Sequence, residues 1–124
     1  MRVMILVKAT ADSEAGHFPM PWTASMMAAM GRFNDDLAAA GVLVTGDGLK
    51  PSSHGRRVVF DGADRTVVAG PFAATSELVA GFWLWDVADM DAAVAWVRRC
   101  PNPMPGPSII EIRPLYESND LPDF

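Results

Sequence analysis

The sequence predicts an α+β domain, a single antiparallel sheet with two helices on one face in the ferredoxin-like arrangement. Three observations carry this expectation. Short β-rich runs alternate with two segments of helical period, in the order strand, helix, strand, hairpin, strand, helix, strand. An Asp-Gly turn signal sits between two β-rich runs at the centre of the chain. The 124 residues, half of them hydrophobic and a fifth charged, suit one domain with one core.

Each element has a local reason. Arg2 to Lys8 is short and β-rich and forms the first strand. Ala9 to Trp22, with Asp12, Glu14, Gly16, His17, Pro19 and Pro21, reads as a long polar loop, a length often used for lids and binding loops. Met26, Met30, Phe33, Leu37 and Ala40 then step by four and three along one helical face. Thr23 or Ser25 suits its start, and Gly41 the left-handed position past its end. Val42 to Thr45 is a short strand ending at Gly46-Asp47-Gly48, and Lys50 to Gly55 is a polar connection. Arg57 to Phe60 and Thr66 to Ala69 flank Asp61-Gly62-Ala63-Asp64 as a hairpin. Gly70-Pro71-Phe72 breaks the chain before a strand from Leu78 to Val87. The second helix runs from Asp89, its cap, to Cys100. Its acids lie at the positive end of the helix dipole and Arg98 and Arg99 at the negative end. Ile109 to Leu115 is the last strand. The core is expected over residues 1–115, with 116–124 an acidic arm.

Charge and cysteine usage narrow the partners. Ten Lys and Arg against fifteen Asp and Glu leave a net charge of −5. Phosphate contacts need a basic patch, and the two Arg doublets, Arg56-Arg57 and Arg98-Arg99, stand apart, so nucleic acid is not an expected partner. No run approaches the roughly 20 apolar residues of a membrane span, and the early run Val3 to Val7 is too short for the apolar core of a signal peptide, with no small-residue cleavage site after it. A lone Cys100 forms no intrachain disulfide and fits a reducing compartment, so a cytoplasmic location is expected. Two distant histidines and scattered acids form no metal signature, and no cofactor motif appears. Asp86, Asp89 and Asp91 lack the glycine and bidentate Glu of a calcium loop.

Alternation along the strands bears on assembly. Met4 and Leu6 point one way and Val3, Ile5 and Val7 the other; Phe82 and Leu84 oppose Trp83 and Trp85. A half-exposed sheet alternates apolar with polar, yet here both faces are apolar while two helices cover one. The expectation is a two-fold homodimer through the face carrying Trp83 and Trp85.

Several stretches, in order along nearly the whole chain, resemble the YCII-related family in its subgroup named for an Asp-Gly-Pro-Phe motif. They are Met4 to Lys8 with Ala9 to Gly16; Ala39 to Leu43; Gly46 to Leu49 with Pro51-Ser52-Ser53; Gly70-Pro71-Phe72; Ala80 to Trp83; and Ile110 to Pro114. The resemblance implies a ferredoxin-like dimeric α/β barrel. It implies little about chemistry: one relative is a dehydrochlorinase acting on a chlorinated aromatic ring, and a His–Asp pair has been proposed for others. This chain departs from the pattern. Ala69 holds the signature Asp position, Ala74 replaces the acid that usually follows, and Glu77 keeps a later one. The first turn of the first long helix has no His, and His17 stands upstream of it.

The expected chemistry is cofactor-independent acid–base catalysis on a small molecule: elimination, isomerisation or ring closure. His17 is the expected general base, Asp47 the orienting acid and Arg113 the anion clamp. Lys8, Asp12, Glu14, Glu77 and Trp83 are the candidate ligand-binding residues. Trp83 suits an aromatic wall or the dimer core. The rival reading is a non-catalytic ligand-binding or regulatory dimer, which the loss of the signature Asp favours. The loop from Ala9 to Trp22 is expected to fold over a cavity between the sheet and the first long helix, with His17 near its mouth.

Overall fold

The computed structural model describes residues 1–121. Its main sheet has four strands, β1 (Arg2–Lys8), β2 (Leu43–Gly48), β5 (Val79–Asp86) and β6 (Ile110–Pro114), in the order β2-β5-β1-β6 with every neighbouring pair antiparallel. Strands β3 (Arg56–Asp61) and β4 (Asp64–Ala69) form a separate hairpin. Helices α2 (Trp22–Ala39) and α3 (Met90–Arg99) follow β1 and β5. This antiparallel α+β arrangement is consistent with a ferredoxin-like fold.

One helix more is present than the periodicity suggests. α1 (Ala11–Ala15) occupies the segment expected to be irregular. Thr10 and Ser13 form its capping box, Asp12 and Glu14 lie in its first turn, and Gly16 ends it at a left-handed φ of 67°. α2 begins at Trp22 with no side-chain cap, and the Thr23 hydroxyl instead donates to the Pro19 carbonyl at 2.9 Å. Gly41 takes φ 72° just past the helix, as its lack of a Cβ permits, while Ala40 is exposed rather than part of the buried face. Asp89 caps α3 by accepting from the Ala92 amide at 2.8 Å. β2 runs three residues beyond the expected Thr45, so Asp47 lies inside a strand opposite Phe82.

The core inverts the expected use of the two faces. Trp83 and Trp85 are buried, 8% and 0% exposed, with Val3, Ile5, Val7, Phe33, Leu37 and Ala93. The two indoles lie 5.7 Å apart and Phe33 sets its ring against both. The helices therefore cover the tryptophan face, and the dimer surface expected there is the hydrophobic core. Alternation separates the faces correctly, but with both apolar it does not say which one the helices take. The helices bury the bulkier set, which removes the most apolar area from water.

The opposite face carries Met4 and Leu6 beside Leu84 and Phe82, all partly exposed. In register with them stand Thr45 and Asp47 on one side and Arg113 and Glu111 on the other. At the end of the chain, Leu115 donates its amide to Arg2, whose guanidinium pairs with Glu117 at 3.2 Å. That pairing holds the Glu117 carboxyl below its ordinary range. The part of the arm beyond residue 121 lies outside the described residues.

Candidate functional site

Topology brings two loops to one rim. β1 and β2 are parallel next-neighbours, each antiparallel to β5 between them. Their carboxyl ends open on the same side, so α1, which follows β1, meets the segment that follows β2. A cavity of about 370 Å³ lies there, between α2 and the sheet. Met26, Met27 and Met30 of α2 supply one wall, Trp83 and Val7 another, and Phe18, Leu49 and Met104 close the sides. Ser13, Glu14, Asn34, Asp47 and Lys50 are the polar residues of its lining. A cavity of this size, mostly apolar with a few polar groups, is the common form of a small-molecule site.

The wall residues are held from behind. The Trp83 Nε1–H donates to Asn34 Oδ1 at 2.9 Å, which fixes the indole plane against α2. Gly46 lies flat beneath that ring, and a Cβ there would overlap Trp83 Cδ1. Glu14 accepts from the Ser52 amide at 2.8 Å and from the Ser52 hydroxyl. The Ser52 oxygen in turn accepts the Phe72 amide at 3.0 Å. The Gly70-Pro71-Phe72 segment thereby joins the cavity edge to the base of the hairpin. Gly70 donates to the Gly55 carbonyl, and its missing side chain admits the Ser52 carbonyl. The Arg57 guanidinium stacks over the Phe72 ring at 4.1 Å. In this chain that segment works as a structural joint.

The structure gathers some of the expected site residues and disperses others. Glu14, Asp47 and Trp83 line the cavity. The segment from Ala9 to Trp22 borders it through Ser13, Glu14 and Phe18, whereas His17 is exposed, is absent from the lining, and donates its amide to the Asp12 carbonyl at 2.8 Å. Asp12 is used in that turn and does not line the cavity. Arg113 is exposed on the other sheet face, paired with Glu111 at 3.3 Å. Glu77 is exposed in a 3-10 turn, Thr75–Glu77. Lys8 borders a second depression of about 410 Å³ with Thr10, Ser76, Ser108, Ile109 and Glu111. The base, acid and clamp expected from the sequence are thus not assembled at one place.

Several lining residues escaped the sequence reading. Asn34 falls on the same helical face as Met26, Met27 and Met30, and a polar residue within an apolar stripe is a legible signal. Lys50, Ser13 and Met104 carry no such pattern; Met104 is buried from within a proline-rich loop. Cys100 is not part of the site. Burial pushes its thiol up from 9.0 to about 12, and its Sγ–H donates to the Pro101 carbonyl at 3.2 Å. Among the described residues no three His, Cys, Asp or Glu side chains converge to hold a metal ion, and no helix is long and apolar enough to cross a membrane.

A 76-residue stretch, 60% of this chain, is 34% identical to an uncharacterized protein of Rhizobium meliloti (strain 1021), of which it spans 61%. The YCII-related domain matches residues 1–119, from just before β1 to the segment clasped by Arg2. Strands, helices, cavity and hairpin all fall within that match, and the chain belongs to the YCII-related family.

Proposed function

We propose that this chain is a cytoplasmic homodimer that binds a small, largely apolar molecule in the cavity between α2 and the sheet. One observation carries the reading: methionine thioethers, an indole fixed by Asn34 and a few polar groups surround about 370 Å³ of space. Methionine side chains adapt their shape and suit a ligand of irregular outline. Glu14 is already engaged by Ser52, which favours recognition over proton transfer at that carboxylate. The dimer would form through Met4, Leu6, Phe82 and Leu84, the apolar face that the helices leave open. We place the chain in the Asp-Gly-Pro-Phe subgroup, with Ala69 at the signature acid.

The eight methionines supply the test. Methyl-labelled methionine spectra resolve four at the cavity, Met26, Met27, Met30 and Met104, from Met1, Met4, Met20 and Met90 elsewhere. Titration with a panel of small aromatic and aliphatic acids, phenols and ketones is expected to shift the first group alone. Shifts spread over all eight, or none with any compound, would refute the cavity as a site.

A second reading is cofactor-independent acid–base catalysis, favoured by the Glu14 carboxylate on the cavity lining. It predicts that the protein speeds hydrogen–deuterium exchange at an acidic C–H of a bound ketone and that Glu14→Gln slows it. Binding without exchange leaves the non-catalytic reading standing.

A further inference from the structure

We infer that the β3–β4 hairpin is an exchange arm, which in the dimer packs against the body of the second copy. The inference rests on the homodimer proposed above and adds to it a segment that crosses between copies. All twelve strand residues of the hairpin are exposed on their own chain. A solitary two-stranded hairpin is marginal in water, and three or more strands or a packed face are needed for independent stability. Yet this one is apolar rather than solvated: Val58, Val59, Phe60, Val67 and Val68 are 41–70% exposed. The register puts Val58, Phe60 and Val67 on one face and Val59 and Val68 on the other, so both faces carry grease.

The arm is also held out rigidly. Gly70 and Phe72 fasten its base to the Ser52 turn, and Arg57 stacks on Phe72. At the tip Gly62 takes a φ of 58°, which suits a two-residue hairpin turn. A fixed, apolar projection of this kind needs a receptor, and the described residues of its own chain supply none.

The argument for a second copy as occupant has two parts. Among the described residues no layer covers the outward row of the main sheet, and a two-fold axis places one copy's unfilled surface against the other's. The arm and that row together reach the scale of about 20–30 residues a side that a stable interface uses. Charge agrees with this. The hairpin holds three of the ten Lys and Arg and two of the fifteen acids, so it is net cationic on an otherwise acidic chain. A cationic arm is drawn to an anionic body.

The full-length protein tests this directly. Copies carrying Phe60→p-benzoylphenylalanine are mixed with nitrogen-15-labelled copies and irradiated. Crosslinks joining the two isotopes at residue 60 are expected. In parallel, sedimentation of Phe60→Ser/Val67→Thr should show a dimer at least tenfold weaker, with an unchanged circular dichroism spectrum. A native chain that sediments as a monomer at tens of micromolar would overturn both the dimer and the arm, and would leave another protein as the arm's receptor. A native dimer unaffected by the double substitution, or crosslinks confined to single chains, would overturn the arm alone.

Discussion

Gly46 shows how much one missing methyl group decides. Trp83 has little room to step aside for a Cβ, because Asn34 holds its nitrogen and Phe33 and Trp85 pack against its ring. Gly46→Ala is expected to destabilise the fold by about 1–3 kcal/mol, the usual range for overpacking, read as a lower urea midpoint. Cys100 gives a pH signature. Its thiol titrates near 9.0 when unfolded and about 12 when folded, so the folded state keeps a proton that the unfolded state loses. The stability it contributes is complete below about pH 9 and declines as pH rises from there toward 12. The native thiol should resist alkylation at pH 8, and Cys100→Ser should flatten the alkaline fall in urea midpoint. The place of Cys100 at the end of the second helix was legible. Gly46 was not, because its importance lies in the register of β2 against β5, which no local pattern states.

Among the elements, those with strong periodic signals were legible and α1 was not. α2 and α3 declare themselves by apolar spacing and by the cap at Asp89. α1 has five residues, too few for a periodic stripe, and two prolines downstream made the whole segment resemble a loop. Its signal was in the caps, Thr10 with Ser13 and Gly16. Thr10→Ala removes half of that capping box and should cost about 1 kcal/mol. Hydrogen exchange at residues 11–15 should rise while β1 and β5 stay protected. Because α1 carries Glu14 to Ser52, the same substitution should also speed exchange at the Ser52–His54 turn. The candidate site was half legible for a related reason. Glu14 follows from where β1 ends and Trp83 from the alternation of β5, but His17 and Arg113 required knowing which way a loop residue and an edge-strand residue point.

For the whole molecule, the two sheet faces have exchanged their expected roles, helix-covered and open. The consequence is a contrast between substitutions. If the proposed dimer forms through the open face, Leu84→Glu puts a charge there and should yield a folded protein that sediments as a single chain. Trp85→Glu buries an unpaired charge in the core, a loss of several kcal/mol, and should abolish the cooperative melt. A Leu84→Glu protein that remains dimeric would rule out the open face as the interface. The tryptophan pair has one more consequence. Two indoles 5.7 Å apart and inclined by 42° share their electronic excitation. The folded protein should therefore show a paired positive and negative band in its ultraviolet circular dichroism, absent after unfolding. Since Trp83 is also a wall of the cavity, the chain carries its own optical gauge, and an occupant seated against that ring would change the colour and yield of its emission without any added label.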